Sequence, residues 1–189
     1  VEGEGEKVQV KVCGLMGGHS GAEIDKNRAN ANKLMGRFLY GLKKKAEYAL
    51  ISLTGGQKDN AITRECTAEF LTDSVAEVKA YAKELQEQLR EEYTGSDENI
   101  TFEITEKGTA TAEVLHPTSQ EKIVFYLQNV PFGIQKMSGT IKGLVETSSN
   151  IGILRLDRDE LFASSSVRSS VDAACSALSD KIEYLTEFL

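Results

Sequence analysis

Tryptophan is absent from this chain and proline occurs only twice. A proline-rich spacer is excluded, and a disordered arm is not expected. Histidine also occurs only twice, at His19 and His116. No His/Asp/Glu group has metal-ligand spacing, and no H-E-x-x-H segment is present. The three cysteines, Cys13, Cys66 and Cys175, are odd in number and widely spaced. They suit neither a disulfide framework nor a zinc knuckle, and are read as reduced small hydrophobes in a reducing, cytoplasmic compartment. A basic excess is missing too. Twenty-two Lys and Arg against 29 Asp and Glu leave a net charge of −7, which opposes binding to nucleic acid or to an anionic membrane. No apolar run approaches the roughly 20 residues that span a bilayer. The acidic start, Val1 to Lys7, is no signal peptide and lacks an initiator Met, so the chain is read as a piece of a longer polypeptide.

What remains is an ordinary globular balance, 40% hydrophobic and 27% charged. Lys7–Cys13 alternates with period two and reads as a strand. It runs into a glycine-rich turn, Gly14-Leu-Met-Gly-Gly-His-Ser-Gly21. A helix is expected from Asn27 to about Lys44, with Ala31, Leu34, Met35, Phe38, Leu39 and Leu42 on one stripe. Strands follow at Tyr48–Leu53 and Ile62–Leu71. Ser74 and Glu77 have the form of a capping box opening a helix to about Tyr93. Ile100–Ile104 is a fourth strand. The order β-α-β-β-α-β predicts an α+β fold, a ferredoxin-like two-layer sandwich over residues 1–106, with an antiparallel sheet and helices on one face.

Residues 107–189 read as a second, incomplete unit of the same kind. Pro117 starts a helix to Asn129, with Thr118 and Glu121 as a further capping box. Phe132 to Gly143 reads as a loop. Leu144–Leu156 and Glu160–Ser166 form a hairpin around Asp157-Arg158-Asp159, and Val171–Leu189 an amphipathic helix. The chain stops on a helix where the first half went on to a closing strand, so this unit is read as truncated.

The chain offers few candidates for chemistry. The glycine spacing of residues 14–21 fits neither a P-loop nor a dinucleotide fingerprint, and no nucleophile-elbow serine is present. His19, between glycines, either shapes the turn or presents a donor to a ligand. Arg168, after a serine-rich strand, is either a surface arginine or a bidentate carboxylate grip. His116, at a helix start, is assigned no role.

Four segments carry a resemblance. Gly14–Ile24 with Asn30-Ala-Asn-Lys-Leu34, Gly55-Gly56 with Asn60–Glu65, Val145–Ile151, and Val167–Ser170 occur in order over nearly the whole chain. Together they resemble the lid domain of aminoacyl-histidine dipeptidases (Xaa-His dipeptidases, bacterial carnosinases). These belong to the large two-zinc aminopeptidase, aminoacylase and carboxypeptidase family. The resemblance implies a lid and dimerisation domain, inserted in a separate catalytic domain, with its two ends near each other. It implies two zinc or other divalent ions bound by that catalytic domain and none here, and a homodimer formed through the lid. It also implies a dipeptide substrate such as Xaa-His. By motif, His19 would help stabilise the tetrahedral intermediate, Asn60 would bind the substrate's C-terminal part, and Arg168 would grip its carboxylate. Asn150 is a further substrate-binding candidate, by its place in the Glu-Thr-Ser-x-Asn segment. Ala22 stands where a glycine is common and Thr63 where proline is common. Either could alter loop stiffness, while neither removes a proposed functional group.

On this reading the chain alone is expected to be inactive. The competing reading is a self-standing ferredoxin-like module that senses a small acid, since such folds host many functions.

Overall fold

The computed structural model describes residues 1–158 and 160–189. Asp159, in the expected hairpin turn, lies outside the described residues. Among the described residues, nine strands, four α-helices and a short 3-10 turn follow one another along the chain. In the first half β1 spans Glu2–Cys13, β2 Gly18–His19, α1 Ala31–Leu42, β3 Ala49–Gly55, β4 Ala61–Ile62, β5 Cys66–Thr72, α2 Val75–Glu92 and β6 Thr101–Glu113. In the second half α3 spans Pro117–Asn129, β7 Gly133–Met137, β8 Val145–Asp157, β9 Glu160–Ser169 and α4 Asp172–Glu187.

The first four long strands lie in the order β6-β1-β5-β3, all antiparallel. That is the expected ferredoxin-like arrangement. Val8, Val10 and Val12 point from β1 into the core, and Phe38 of α1 meets Tyr81 of α2 and Phe102 of β6. The opposite face of this part of the sheet carries ions. Glu69 pairs with Lys7 at 3.0 Å and with Lys107, and Lys11 pairs with Glu65 at 3.0 Å.

The sheet does not stop between the halves. β8 pairs with β3 through Leu53↔Leu156 to Gly55↔Leu154, and with β7 further along, while β9 lies on its other side. The expected division at residue 106 falls inside β6, and one seven-stranded sheet runs through both halves. β7 lies where a loop was expected. It is short, mostly exposed and paired irregularly with β8, so no clean alternation marks it in the sequence. α3 is tied to β3 by Gln120, whose side chain accepts from the Leu50 N–H (2.7 Å) and donates to the Tyr48 carbonyl (3.0 Å).

Local starts differ from expectation. α1 begins at Ala31 because Asn27 adopts a left-handed φ of 53° and ends the 3-10 turn Ile24–Lys26. Asn30 is the cap, its Oδ1 accepting from the N–H groups of Asn32 and Lys33. Ser74 makes no side-chain cap to α2, and its own N–H goes to Thr72 Oγ1. His116 does cap α3, with Nδ1 accepting from the Thr118 N–H at 3.2 Å, in place of the expected Thr118 and Glu121 box.

The cysteines are free, with Cys13 and Cys66 buried, and burial pushes both thiols upward in pKa. The two chain ends sit at one corner. The Val1 amine donates to the Val114 carbonyl, and Leu189 lines the same groove as Leu115. No helix among the described residues is long and apolar enough to cross a membrane.

Candidate functional site

The glycine-rich segment leaves β1 at Cys13 and returns to α1 at Asn30. Between them the two-residue β2 pairs antiparallel with β4, Gly18 opposite Ile62 and His19 opposite Ala61. The Ser20 N–H donates to the Asn60 carbonyl at 2.9 Å. His19 and Asn60 therefore lie side by side at one small ladder, although they are 41 positions apart in sequence.

The His19 side chain folds back on its own loop. Its Nδ1 accepts the N–H groups of Gly21 (3.0 Å) and Ala22 (3.1 Å). A nitrogen accepting two N–H groups carries no proton, so the neutral ring holds its hydrogen on Nε2. The loop thus presents Nε2–H as a donor. The His19 N–H donates to Glu23 Oε2 at 2.8 Å, and Arg28 Nη1 donates to Glu23 Oε1 (2.8 Å) and to the Gly17 carbonyl (2.6 Å). The His19 N–H and then the Arg28 guanidinium hold the Glu23 carboxyl below its ordinary pKa.

Arg168 lies on β9 opposite Ser148. It is exposed and forms no ion pair among the described residues. Alternation along the strand puts Ser166 on the same face, and Ser166 sits opposite Asn150. Gly21 joins the two candidate groups. A Cβ there would lie 3.1 Å from Arg168 Nε and 3.1 Å from His19 Cε1. The imidazole and the guanidinium therefore flank a bare backbone, and any side chain at position 21 would wedge between them.

Asn150 does not present itself to a ligand. It is 1% exposed. Its Nδ2 donates to the carbonyls of Asp59 (3.2 Å) and Ala61 (2.9 Å), on either side of Asn60, and its Oδ1 accepts from Asn30 Nδ2 (3.1 Å). Both amide hydrogens are in use, so Asn150 acts as a clamp on the loop that carries Asn60. Asn60 itself is exposed.

Two further groups hold this corner. Thr63 Oγ1 donates toward the carbonyls of Ile151 and Gly152 and accepts from Asn32 Nδ2. A proline there would lose the hydroxyl that ties β4 to β8. Gly152 lets the loop lie on β8, since a Cβ would come within 2.5 Å of the Asp59 carbonyl oxygen and 2.6 Å of that of Lys58. The signal for Asn30 was readable, an asparagine just before an apolar stripe. Nothing in the sequence announces Thr63 or Gly152.

No group of three or more His, Cys, Asp or Glu among the described residues is placed to hold a metal ion. The divalent pair that the resemblance implies is expected in a separate catalytic domain, and no step is derived through it in this chain.

Residues 10–97 match the family model described as "Peptidase dimerisation domain". The chain is 32% identical over 170 residues to the cytosol non-specific dipeptidase of Escherichia coli (strain K12), covering 89% of this chain and 35% of that protein. Its structure superposes on the aminoacylhistidine dipeptidase of Vibrio alginolyticus with a TM-score of 0.92 and 29% identity, covering 97% of this chain and 38% of that one. Residues 10–97 form a peptidase dimerisation domain. The family match ends at residue 97, and the superposition extends the likeness through the second half of the chain. His19 and Asn60 lie inside the matched span, while Asn150 and Arg168 lie beyond it. The chain spans little more than a third of the length of either relative.

Proposed function

We propose that the domain is the lid and dimerisation module of a cytosolic, metal-dependent dipeptidase whose metal-binding residues lie elsewhere in the full polypeptide. The observation that carries this reading is the meeting of His19 and Arg168 across Gly21. A dipeptide offers a carboxylate at one end and an amide a few ångströms away. A guanidinium fork suits the first. A fixed N–H donor suits the charge that develops on the second. Arg168 grips the carboxylate, Asn60 orients the substrate's C-terminal part, and His19 Nε2–H stabilises the oxyanion. Asn150 holds the loop behind them. A dipeptide is the substrate class; Xaa-His is the specific candidate, in line with the aminoacylhistidine dipeptidase of Vibrio alginolyticus, while the Escherichia coli relative is a non-specific dipeptidase.

The dimer is formed by a second copy of this domain meeting β9 and α4. β9 pairs only with β8 among the described residues, so its outer edge offers free main-chain groups. Beside it Phe162, Tyr184 and Phe188 are exposed.

The test is turnover by the full polypeptide with zinc or manganese on a panel of dipeptides that includes Xaa-His. Metal-dependent hydrolysis that falls about 10²–10³-fold in kcat on His19→Ala supports the reading. Absence of turnover with every dipeptide and metal would return the chain to the small-acid-sensing alternative. Full activity in His19→Ala would remove the oxyanion role.

A further inference from the structure

The loop that carries His19 has two stems, and both end on one buried carboxylate. Asp97 is fully buried. Its Oδ1 accepts the Met16 N–H at 3.1 Å, and its Oδ2 accepts the Ala29 N–H at 3.2 Å. Met16 stands just before the glycines that precede His19, and Ala29 just before the Asn30 cap of α1. Each oxygen thus fastens one stem. The anchor is itself rigid, because Asp97 sits in the turn that closes α2, with its N–H donating to the Tyr93 carbonyl at 2.9 Å. A weaker tie, Asn27 Nδ2 to Ser96 Oγ at 3.4 Å, links the loop to the same turn.

Burying a carboxylate is costly, and burial pushes the Asp97 pKa up while the two N–H donors and Arg28 pull it down. A neutral side chain could fill the space without that cost. Only an ionised carboxylate offers two acceptor oxygens and no donor, which is what two N–H groups arriving from separate stems require. Within the loop the ties continue inward, from Arg28 to Gly17 and Glu23, and from Glu23 to the His19 N–H.

We propose that Asp97 is a positioning residue for His19, closing the base of residues 16–29 so that the loop holds the imidazole in one orientation and one tautomer beside Arg168. Its functional consequence rests on the dipeptidase reading, but the geometric claim does not. Asp97→Asn is close in size, yet it replaces one acceptor oxygen by an NH₂ group that faces an N–H. One stem is then released and the orphaned N–H is left buried.

The experiment reads the ring directly. The 189-residue chain has only two histidines, so imidazole ¹⁵N correlation spectra at alkaline pH, assigned with His19→Ala, separate His19 from His116. Wild type is expected to show a single Nε2–H tautomer for His19. Asp97→Asn is expected to shift His19 toward the mixed tautomers of a free imidazole, with the His116 signals unmoved. A folded Asp97→Asn chain with an unchanged His19 pattern would overturn the proposal. Should that variant fail to fold, amide hydrogen exchange on wild type decides. Met16 and Ala29 must then exchange as slowly as Ser20, whose N–H is held by Asn60, and exchange at exposed-loop rates would overturn it equally. Neither readout needs turnover, so a failure here and a failure of the dipeptidase reading are separate results.

Discussion

α1 and α4 have similar amphipathic patterns and opposite surroundings. α1 is 12 residues long and buries eight of them, among them Leu34, Met35, Phe38, Leu39 and Leu42. α4 is 16 residues long and buries only Leu178. An apolar stripe records that a face wants cover, and not what supplies it. For α1 the cover is the sheet and α3. For α4 it is β9 on one side only, which leaves Tyr184 and Phe188 outside at 69% and 76% exposure. The proposed dimer supplies the rest through a second copy of the domain.

The contrast can be broken most forcefully at Phe38. This ring is fully buried and sits 5.5 Å from the Tyr81 ring and 5.3 Å from that of Phe102. Phe38→Ala should cost about 3–5 kcal/mol in urea unfolding. A loss below about 1 kcal/mol would make α1 as dispensable to the core as α4.

Even the charge on α1 is built in. Lys33 Nζ donates to the carbonyls of Leu127, Gln128 and Val130, at the end of α3. Burial pushes its pKa down to about 8 from the ordinary 10.5. The native state therefore gives up this proton before the unfolded chain does. Stability should rise as pH climbs from about 8 to 10.5, by at most about 3 kcal/mol. Lys33→Met should remove that slope. Denaturant curves across this range would show it, and an unchanged slope in the variant would place its origin elsewhere.

The smallest effect on the monomer belongs to α4. Tyr184→Glu combined with Phe188→Glu should change monomer stability by no more than about 0.5 kcal/mol. The same pair should abolish the dimer in sedimentation. A dimer that persists would take α4 out of the interface.

These contrasts also mark what could be read from the sequence. The βαββαβ order was legible because strand alternation and helix stripes agree with the core they build. The hairpin of β8 and β9 was legible for the same reason. The joining of β3 to β8 was not, since it is made by three residue pairs, Leu53 to Gly55 against Leu156 to Leu154, far apart in sequence, and β8 also runs through Glu146 to Asn150, a polar stretch that is nonetheless buried. Around Asn150 to Gly152 loops pack on it, at Asn30 and Thr63, and no local pattern encodes those. The candidate site was legible in its residue types. His19 stood between glycines and Arg168 followed serines. Their meeting at Gly21 is tertiary, and so is the role of Asp97, which sits in a turn with no periodicity to mark it. Asn150 was expected to bind substrate and is found buried against the loop that carries Asn60, because a segment motif gives position without burial.

The central claim is that Arg168 receives the carboxylate of a dipeptide held under this lid. The direct measurement compares kcat/KM of the full polypeptide for a dipeptide and for its C-terminal amide, in wild type and in Arg168→Met. Wild type should prefer the free acid, and Arg168→Met should lose about 10–100-fold on the acid while leaving the amide nearly unchanged. Equal losses on acid and amide, or none on either, would contradict the claim.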